Sequence, residues 1–189
     1  MGPVVSGKTT LSEYLAHGVV PEELVATGGI QRIEPTADLA LAGLKLKVKV
    51  VLDASGEPEA IRAWHDQAVV ADFLVYLVSY AEAADEAYMA RVRRDAGQLR
   101  DWKQLGELKD DCHTALVVTH MDCHEPFRQG IGLELAADAE RVARTAPAVR
   151  AAVRELGPSC TVIAGSLADD EGCADVTARL LTALNAKLA

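Results

Sequence analysis

Apolar residues fall along this chain in two rhythms, and the exchange between them predicts the fold. From Leu44 to Leu52 apolar positions alternate with Lys45, Lys47 and Lys49 before the run turns fully apolar, the period of a strand with one buried face. The segments from Phe73 to Ser79, Ala115 to Val118 and Thr161 to Ala164 are short apolar runs, suited to strands buried on both faces. Ile30 to Glu34 predicts a short edge strand, which a turn from Pro35 to Gly43 folds back onto the lysine-alternating strand as a hairpin. Helical spacing takes over elsewhere. Thr9 to His17 places Leu11, Tyr14 and Leu15 on one face and stops at Gly18. Glu57 to Ala68 predicts a loop and a short helix, and Glu82 to Leu108 a charged helix. Glu134 to Leu156 predicts a long helix interrupted at Pro147 and stopped by Gly157 and Pro158, and Asp175 to Leu188 the last helix. The polar stretch from Pro21 to Gly29 is expected to be a loop that orders around a ligand. Strands alternating with helices imply βαβ units and a mostly parallel sheet with one antiparallel edge strand. Ligands then belong outside the C-terminal strand ends.

Composition narrows the partners more than the fold. The 189 residues suit one domain with a real core, and the net charge of −9 argues against nucleic acid, whose phosphates require a basic footprint. A nucleotide pocket needs only local positive charge. Cys112, Cys123, Cys160 and Cys173 form no C-x-x-C pair, which predicts reduced thiols in a cytoplasmic protein. Apolar runs of membrane-spanning length are lacking, so membrane association is expected only through partners.

The chemistry begins at the chain start. Gly2, Gly7, Lys8 and Thr9 fill every fixed position of the phosphate-loop pattern G-x-x-x-x-G-K-[ST]. Its glycines let successive N–H groups, with those of Ser6 and Thr10, cradle phosphate oxygens. Lys8 would reach the β- and γ-phosphates and the Thr9 hydroxyl would hold Mg²⁺. The helix that follows adds its N-terminal dipole. Such a loop normally follows a buried strand, and only Met1 precedes Gly2 here. The expectation is a truncated or mis-started chain lacking that strand.

Four further clusters join the loop. Asp53 and Gly56 form D-x-x-G after the alternating strand, an Asp for Mg²⁺ through water and a Gly N–H for the γ-phosphate. Thr119, His120 and Asp122 follow a buried strand, where the Asp carboxylate can accept from guanine's ring N–H and exocyclic amine, which adenine cannot supply. Ser166 and Leu167 follow the last strand, where backbone N–H groups can meet the guanine oxygen. Thr27 is a candidate Mg²⁺ and γ-phosphate ligand. Each is weak alone, but their order after the phosphate loop is specific.

With these residues in place the chain resembles a small GTPase of the Ras superfamily, closest to the Arf-like and signal-recognition-particle-receptor-β-like group. Ala26 to Gln31 (ATGGIQ) resembles that group's P-T-x-G-F/V-x switch I segment, and Leu52 to Glu57 (LDASGE) its W-D-x-G-G-Q switch II. Arg62 to Trp64 is loosely similar to the R-x-x-W helix. Gly165 to Leu167 with Glu171 to Val176 resembles the guanine loop and its trailing helix start. The resemblance implies a P-loop NTPase fold of three α/β/α layers, GTP or GDP with Mg²⁺, and protein effectors and regulators that read the switches. Departures matter too. Glu57 replaces the water-orienting Gln, so intrinsic hydrolysis is expected to be slow, with Glu57 and Lys8 as the catalytic candidates. His120 stands for the Lys of N-K-x-D, and Ser55 for a switch II glycine. A non-hydrolysing pseudo-GTPase adaptor is the competing class, and a P-loop kinase the third.

Remaining motifs have bland readings. His120, Cys123 and His124 supply three donors, too few to define a tetrahedral zinc site. Arg91, Arg93 and Arg94 read as a solvated helix face rather than a kinase lid. Trp64 and Trp102 read as packing residues.

Overall fold

The computed structural model describes residues 1–21, 29–36, 48–57, 60–128 and 133–188. Helix α1 (Lys8–His17) ends on Gly18, whose left-handed backbone (φ 75°) lets its N–H reach the Tyr14 carbonyl. Strands β1 (Ile30–Ile33) and β2 (Val51–Ala54) pair antiparallel, with Gln31 opposite Asp53. Helix α2 (Ile61–Ala68) leads to β3 (Phe73–Ser79), and α3 (Glu86–Gln104) leads to β4 (His113–Thr119). Helices α4 (Leu133–Ala143) and α5 (Pro147–Leu156), strand β5 (Thr161–Ala164) and α6 (Asp170–Leu188) complete the order. β3, β4 and β5 form a parallel sheet in that order.

Strand periodicity splits the core into two layers. Leu74, Tyr76 and Val78 of β3, Leu116 and Val118 of β4 and Val162 of β5 face one cluster, built with Trp64, Val92, Ala96, Ala139, Val149 and Ala152 of α2, α3, α4 and α5. Leu77, Ala115, Val117 and Ile163 face the other, with Leu11 of α1 and Val176 and Leu180 of α6. The result is three layers, helix on sheet on helix, as expected.

Several boundaries differ from the sequence pattern for identifiable reasons. The lysine-alternating segment contributes a strand only from Val51, and Asp53 lies inside the strand rather than after it. Residues 37–47 lie outside the described residues, as does most of the expected loop at 21–29. α3 starts at Glu86, not Glu82, because Asp85 caps it by accepting from the Tyr88 N–H at 2.7 Å. The long helix from Glu134 is two helices: Pro147 lacks an N–H to continue the first and takes the opening position of the second. α6 begins at Asp170 instead of Asp175, since Asp169 accepts from the Gly172 N–H at 2.8 Å and acidic residues fill the first turn.

The expected continuous sheet is interrupted between β2 and β3, which share no ladder. Met1 sits beside β3 there. Its amine donates to the Val75 carbonyl at 2.8 Å and its carbonyl accepts from the Leu77 N–H at 2.8 Å, the paired bonds of a parallel neighbour flanking Tyr76. The phosphate-loop segment therefore leaves from the C-terminal half of β3.

Candidate functional site

The ends of β2, β3, β4 and β5 bring the sequence-predicted clusters together around residues 2–9. Gly2 packs so closely on β3 that a Cβ there would stand 2.4 Å from the Leu77 carbonyl oxygen, and its φ of 143° excludes most side chains. Val5 (φ 54°) and Gly7 (φ 80°) turn the loop through left-handed conformations, which lets consecutive amides face one concavity. Val4 and Val5 are exposed on its rim. Ser6 is buried and donates to the Pro3 carbonyl at 2.9 Å. Lys8 is also buried, and its ammonium donates to the same carbonyl at 2.6 Å. Burial holds its pKa below the usual lysine range, opposed by nearby Asp53.

Two sets of contacts tie the outlying clusters to this loop. The Thr9 hydroxyl donates to Asp53 Oδ2 at 2.8 Å, across the gap between α1 and β2. Asp53 is itself 1% exposed, so a hydroxyl and a carboxylate converge at the loop's edge, oxygen donors of the kind hard cations take. Gly56 lies directly over the loop: a Cβ would come within 2.5 Å of the Val4 nitrogen and 2.7 Å of Lys8 Nζ. Only glycine permits that approach.

The second set joins the loop to the β4 and β5 ends. Thr119 Oγ1 donates to the Ser6 carbonyl at 3.0 Å, and Gly7 packs where a Cβ would stand 2.9 Å from Leu167 Cδ1 and 3.5 Å from Thr119 Cγ2. His120 adopts a left-handed backbone (φ 57°), and its Nδ1 lies 2.9 Å from Thr119 Oγ1. When that hydroxyl gives its one proton to the Ser6 carbonyl, His120 Nδ1 is the donor in this pair. The imidazole is thus turned back on Thr119. Ser166 Oγ donates to Asp122 Oδ1 at 2.7 Å and accepts from the Ala168 N–H at 3.2 Å. The Met121 N–H also donates to the Gly165 carbonyl, at 3.2 Å. The two strand-end loops behave as one piece.

Other expected site residues fare differently. Thr27 lies outside the described residues. The Glu57 side chain is exposed. His120, Cys123 and His124 do not gather, and among the described residues no cluster of three His, Cys, Asp or Glu could hold a metal. The four cysteines are free, and all but Cys123 are buried. No helix among the described residues is long and apolar enough to cross a membrane. A depression of about 480 Å³ lies between α2 and α3, lined by Ile61, His65, Gln98 and Trp102 among others. Its walls are mainly side chains of α2 and α3 rather than the turned backbone of residues 2–9, which remains the candidate site.

Two residues read from the sequence as bland contribute to the site. Trp64 is fully buried as a packing residue, yet its indole N–H also donates to the Ser55 carbonyl at 3.0 Å. Arg91 is not on a solvated face: its Nε reaches Asp95 Oδ2 at 2.6 Å and its Nη2 reaches the Glu57 carbonyl at 3.1 Å. The clue was Asp95. It stands three after Val92 and four before Leu99, on the apolar stripe of α3, where a carboxylate needs a partner. Arg93 and Arg94 are exposed, as expected.

No protein-family model matches the chain, and no curated protein matches its sequence. In three dimensions it is similar to the Arl6 BBS3 small GTPase from Trypanosoma brucei with bound nucleotide analogue GppNp. The TM-score is 0.58 at 15% sequence identity, covering 98% of this chain and 95% of that one. Likeness at that identity establishes the fold, which is that of a small GTPase.

Proposed function

We propose that this chain is a guanine-nucleotide-binding switch protein whose intrinsic GTP hydrolysis is slow. The observation that carries the reading is convergence: hydrogen bonds link the Gly2–Thr10 loop to Asp53 through Thr9 and to Thr119 through Ser6, while Asp122 is held by Ser166 beside them. A fold shared with a small GTPase that carries a nucleotide analogue supports it.

Lys8 would exchange the Pro3 carbonyl for the β- and γ-phosphates, with the amides of Ser6, Gly7, Thr9 and Thr10 around them. Thr9 and Asp53, with Thr27 as a further candidate, would hold Mg²⁺, which when bound neutralises charge on the phosphate oxygens. Asp122, oriented by Ser166, would select guanine, and Thr119 and Leu167 would set the loop beneath the base. The Gly56 amide would meet the γ-phosphate, and Glu57 would stand where water must be oriented. A carboxylate there repels an already anionic γ-phosphate, so turnover is slow, and effectors and regulators reading the switch loops would carry the function. The exposed Glu57 carboxylate is also what favours the second reading, a pseudo-GTPase adaptor that binds without turning over.

The test is binding of GDP and GTP by purified protein in Mg²⁺, with ATP as competitor. Lys8→Ala should weaken binding by about a hundredfold, the loss of charge-assisted phosphate bonds, and Asp122→Asn should remove the preference for GTP over ATP. ATP competing equally with GTP in the wild type sinks the guanine assignment. Single-turnover hydrolysis then separates the readings: Glu57→Gln should speed product formation, and no product from either form favours the adaptor.

A further inference from the structure

Gly56 can lie on the phosphate loop only if the turn carrying it is held at a defined height, and two side chains from beneath hold it. Trp64 of α2 donates to the Ser55 carbonyl at 3.0 Å, and Arg91 of α3 donates to the Glu57 carbonyl at 3.1 Å. The carbonyls on either side of Gly56 are thus both occupied by side-chain donors. Ser55 Oγ also accepts from the Glu57 N–H at 3.3 Å, tightening the turn.

Arg91 has little freedom. Its Nε lies 2.7 and 2.6 Å from the two carboxylate oxygens of Asp95, one helical turn on, and Asp95 is 1% exposed. The Tyr76 hydroxyl of β3 donates to the same carboxylate at 3.4 Å. Tyr76 is the residue bracketed by Met1 and the edge partner of the Trp64 ring, with centroids 6.5 Å apart. The guanidinium therefore spends one nitrogen on a buried anchor and another on the turn. A planar fork can do both at once, whereas a lysine ammonium on its flexible stem cannot hold the same geometry.

We infer that Arg91 is a positioning residue for the terminal phosphate of a bound nucleoside triphosphate: fastened to Asp95, it holds the Gly56 turn where its amide distinguishes triphosphate from diphosphate. The inference rests on the guanine-nucleotide reading above. It goes beyond it by placing the discriminating element on α3, which meets the nucleotide site through the Glu57 carbonyl.

The experiment measures affinities for GDP and for a non-hydrolysable GTP analogue in Mg²⁺, together with hydrogen exchange of the peptide carrying residues 53–57, in the wild type, Arg91→Ala and Arg91→Lys. Both variants should bind GDP as the wild type does and lose about tenfold in affinity for the analogue, the loss of one charge-assisted bond. Exchange at the turn should quicken while that of β3–β5 peptides is unchanged. Arg91→Lys preserves the ion pair with Asp95 and so guards against a fold too weak to assay. A mere structural ion pair would be rescued by lysine, and full recovery of the analogue-to-GDP ratio in Arg91→Lys overturns the inference. An unchanged ratio in Arg91→Ala overturns it as well. Failure of the nucleotide reading shows differently, as a wild-type protein that binds neither nucleotide, and takes the inference with it.

Discussion

Cys173 and Cys160 are buried, whereas Cys123 is exposed. Burial pushes the Cys173 thiol up to about 12 and the Cys160 thiol up to about 11, and it raises Cys112 in the same direction. Alkylation requires thiolate and an approach path, and these three offer neither near neutral pH. Brief treatment of native protein with iodoacetamide should therefore label Cys123 alone by mass spectrometry, and the other three should become reactive only with unfolding. At Gly165 the constraint is steric. A Cβ there would stand 2.2 Å from Cγ2 of Val176, a buried β-branched side chain on α6, and 3.2 Å from the Arg179 guanidinium. That guanidinium already donates to the Ala164 carbonyl at 2.7 Å and to Asp175. Gly165→Ala should destabilise the fold by about 1–3 kcal/mol, the range for overpacking a filled core, read as a lower midpoint in urea. Because Gly165 precedes Ser166, the guanine selectivity proposed above should weaken in the same variant.

Elements were legible wherever a single rhythm governed them. The runs at Phe73–Ser79 and Thr161–Ala164 became β3 and β5 to the residue, while the run at Ala115–Val118 extends to His113–Thr119, its polar ends drawn in by pairing with β3. α1 was legible from Gly18, which does one job that other residues do poorly. Boundaries failed where a side chain made the decision locally. Asp85 and Asp169 set the starts of α3 and α6 by accepting backbone N–H bonds, and in sequence they are merely acidic residues in acidic stretches. The candidate site follows the same division. Lys8, Thr9, Asp53, Gly56, Thr119, Asp122 and Ser166 could be named because each serves a spacing rule, and the folded chain does gather them. Arg91 could not, because its role depends on a carbonyl 34 residues away, and no periodicity records which backbone oxygen a helix will face.

At the scale of the whole molecule Met1 lies at the seam between the two sheets, its amine donating to the Val75 carbonyl of β3. Burial, followed by the neighbouring Lys8 charge, lowers its pKa from 8.0 to about 5. In protein whose first residue is Met1, the unfolded chain binds a proton between those values and the folded chain does not. Stability should thus rise from about pH 5 to pH 8 by this group, by roughly 1.4 kcal/mol per pH unit at most. The contribution is whole above pH 8 and gone below pH 5. Urea unfolding across that range measures it, and a chain carrying a residue before Met1, with an amide in place of the amine, should lack this component of the slope. The seam also shows what the sheet ends have in common. Ser6 receives the Thr119 hydroxyl while Gly7 is wedged between Thr119 and Leu167, so on the proposed reading the floor under the phosphates and the floor under the base would be one surface. Such a floor would act as a ruler. It would measure the span from a purine edge to a polyphosphate as a single length, and a ligand offering only one of the two ends would be gauged against a distance it does not have.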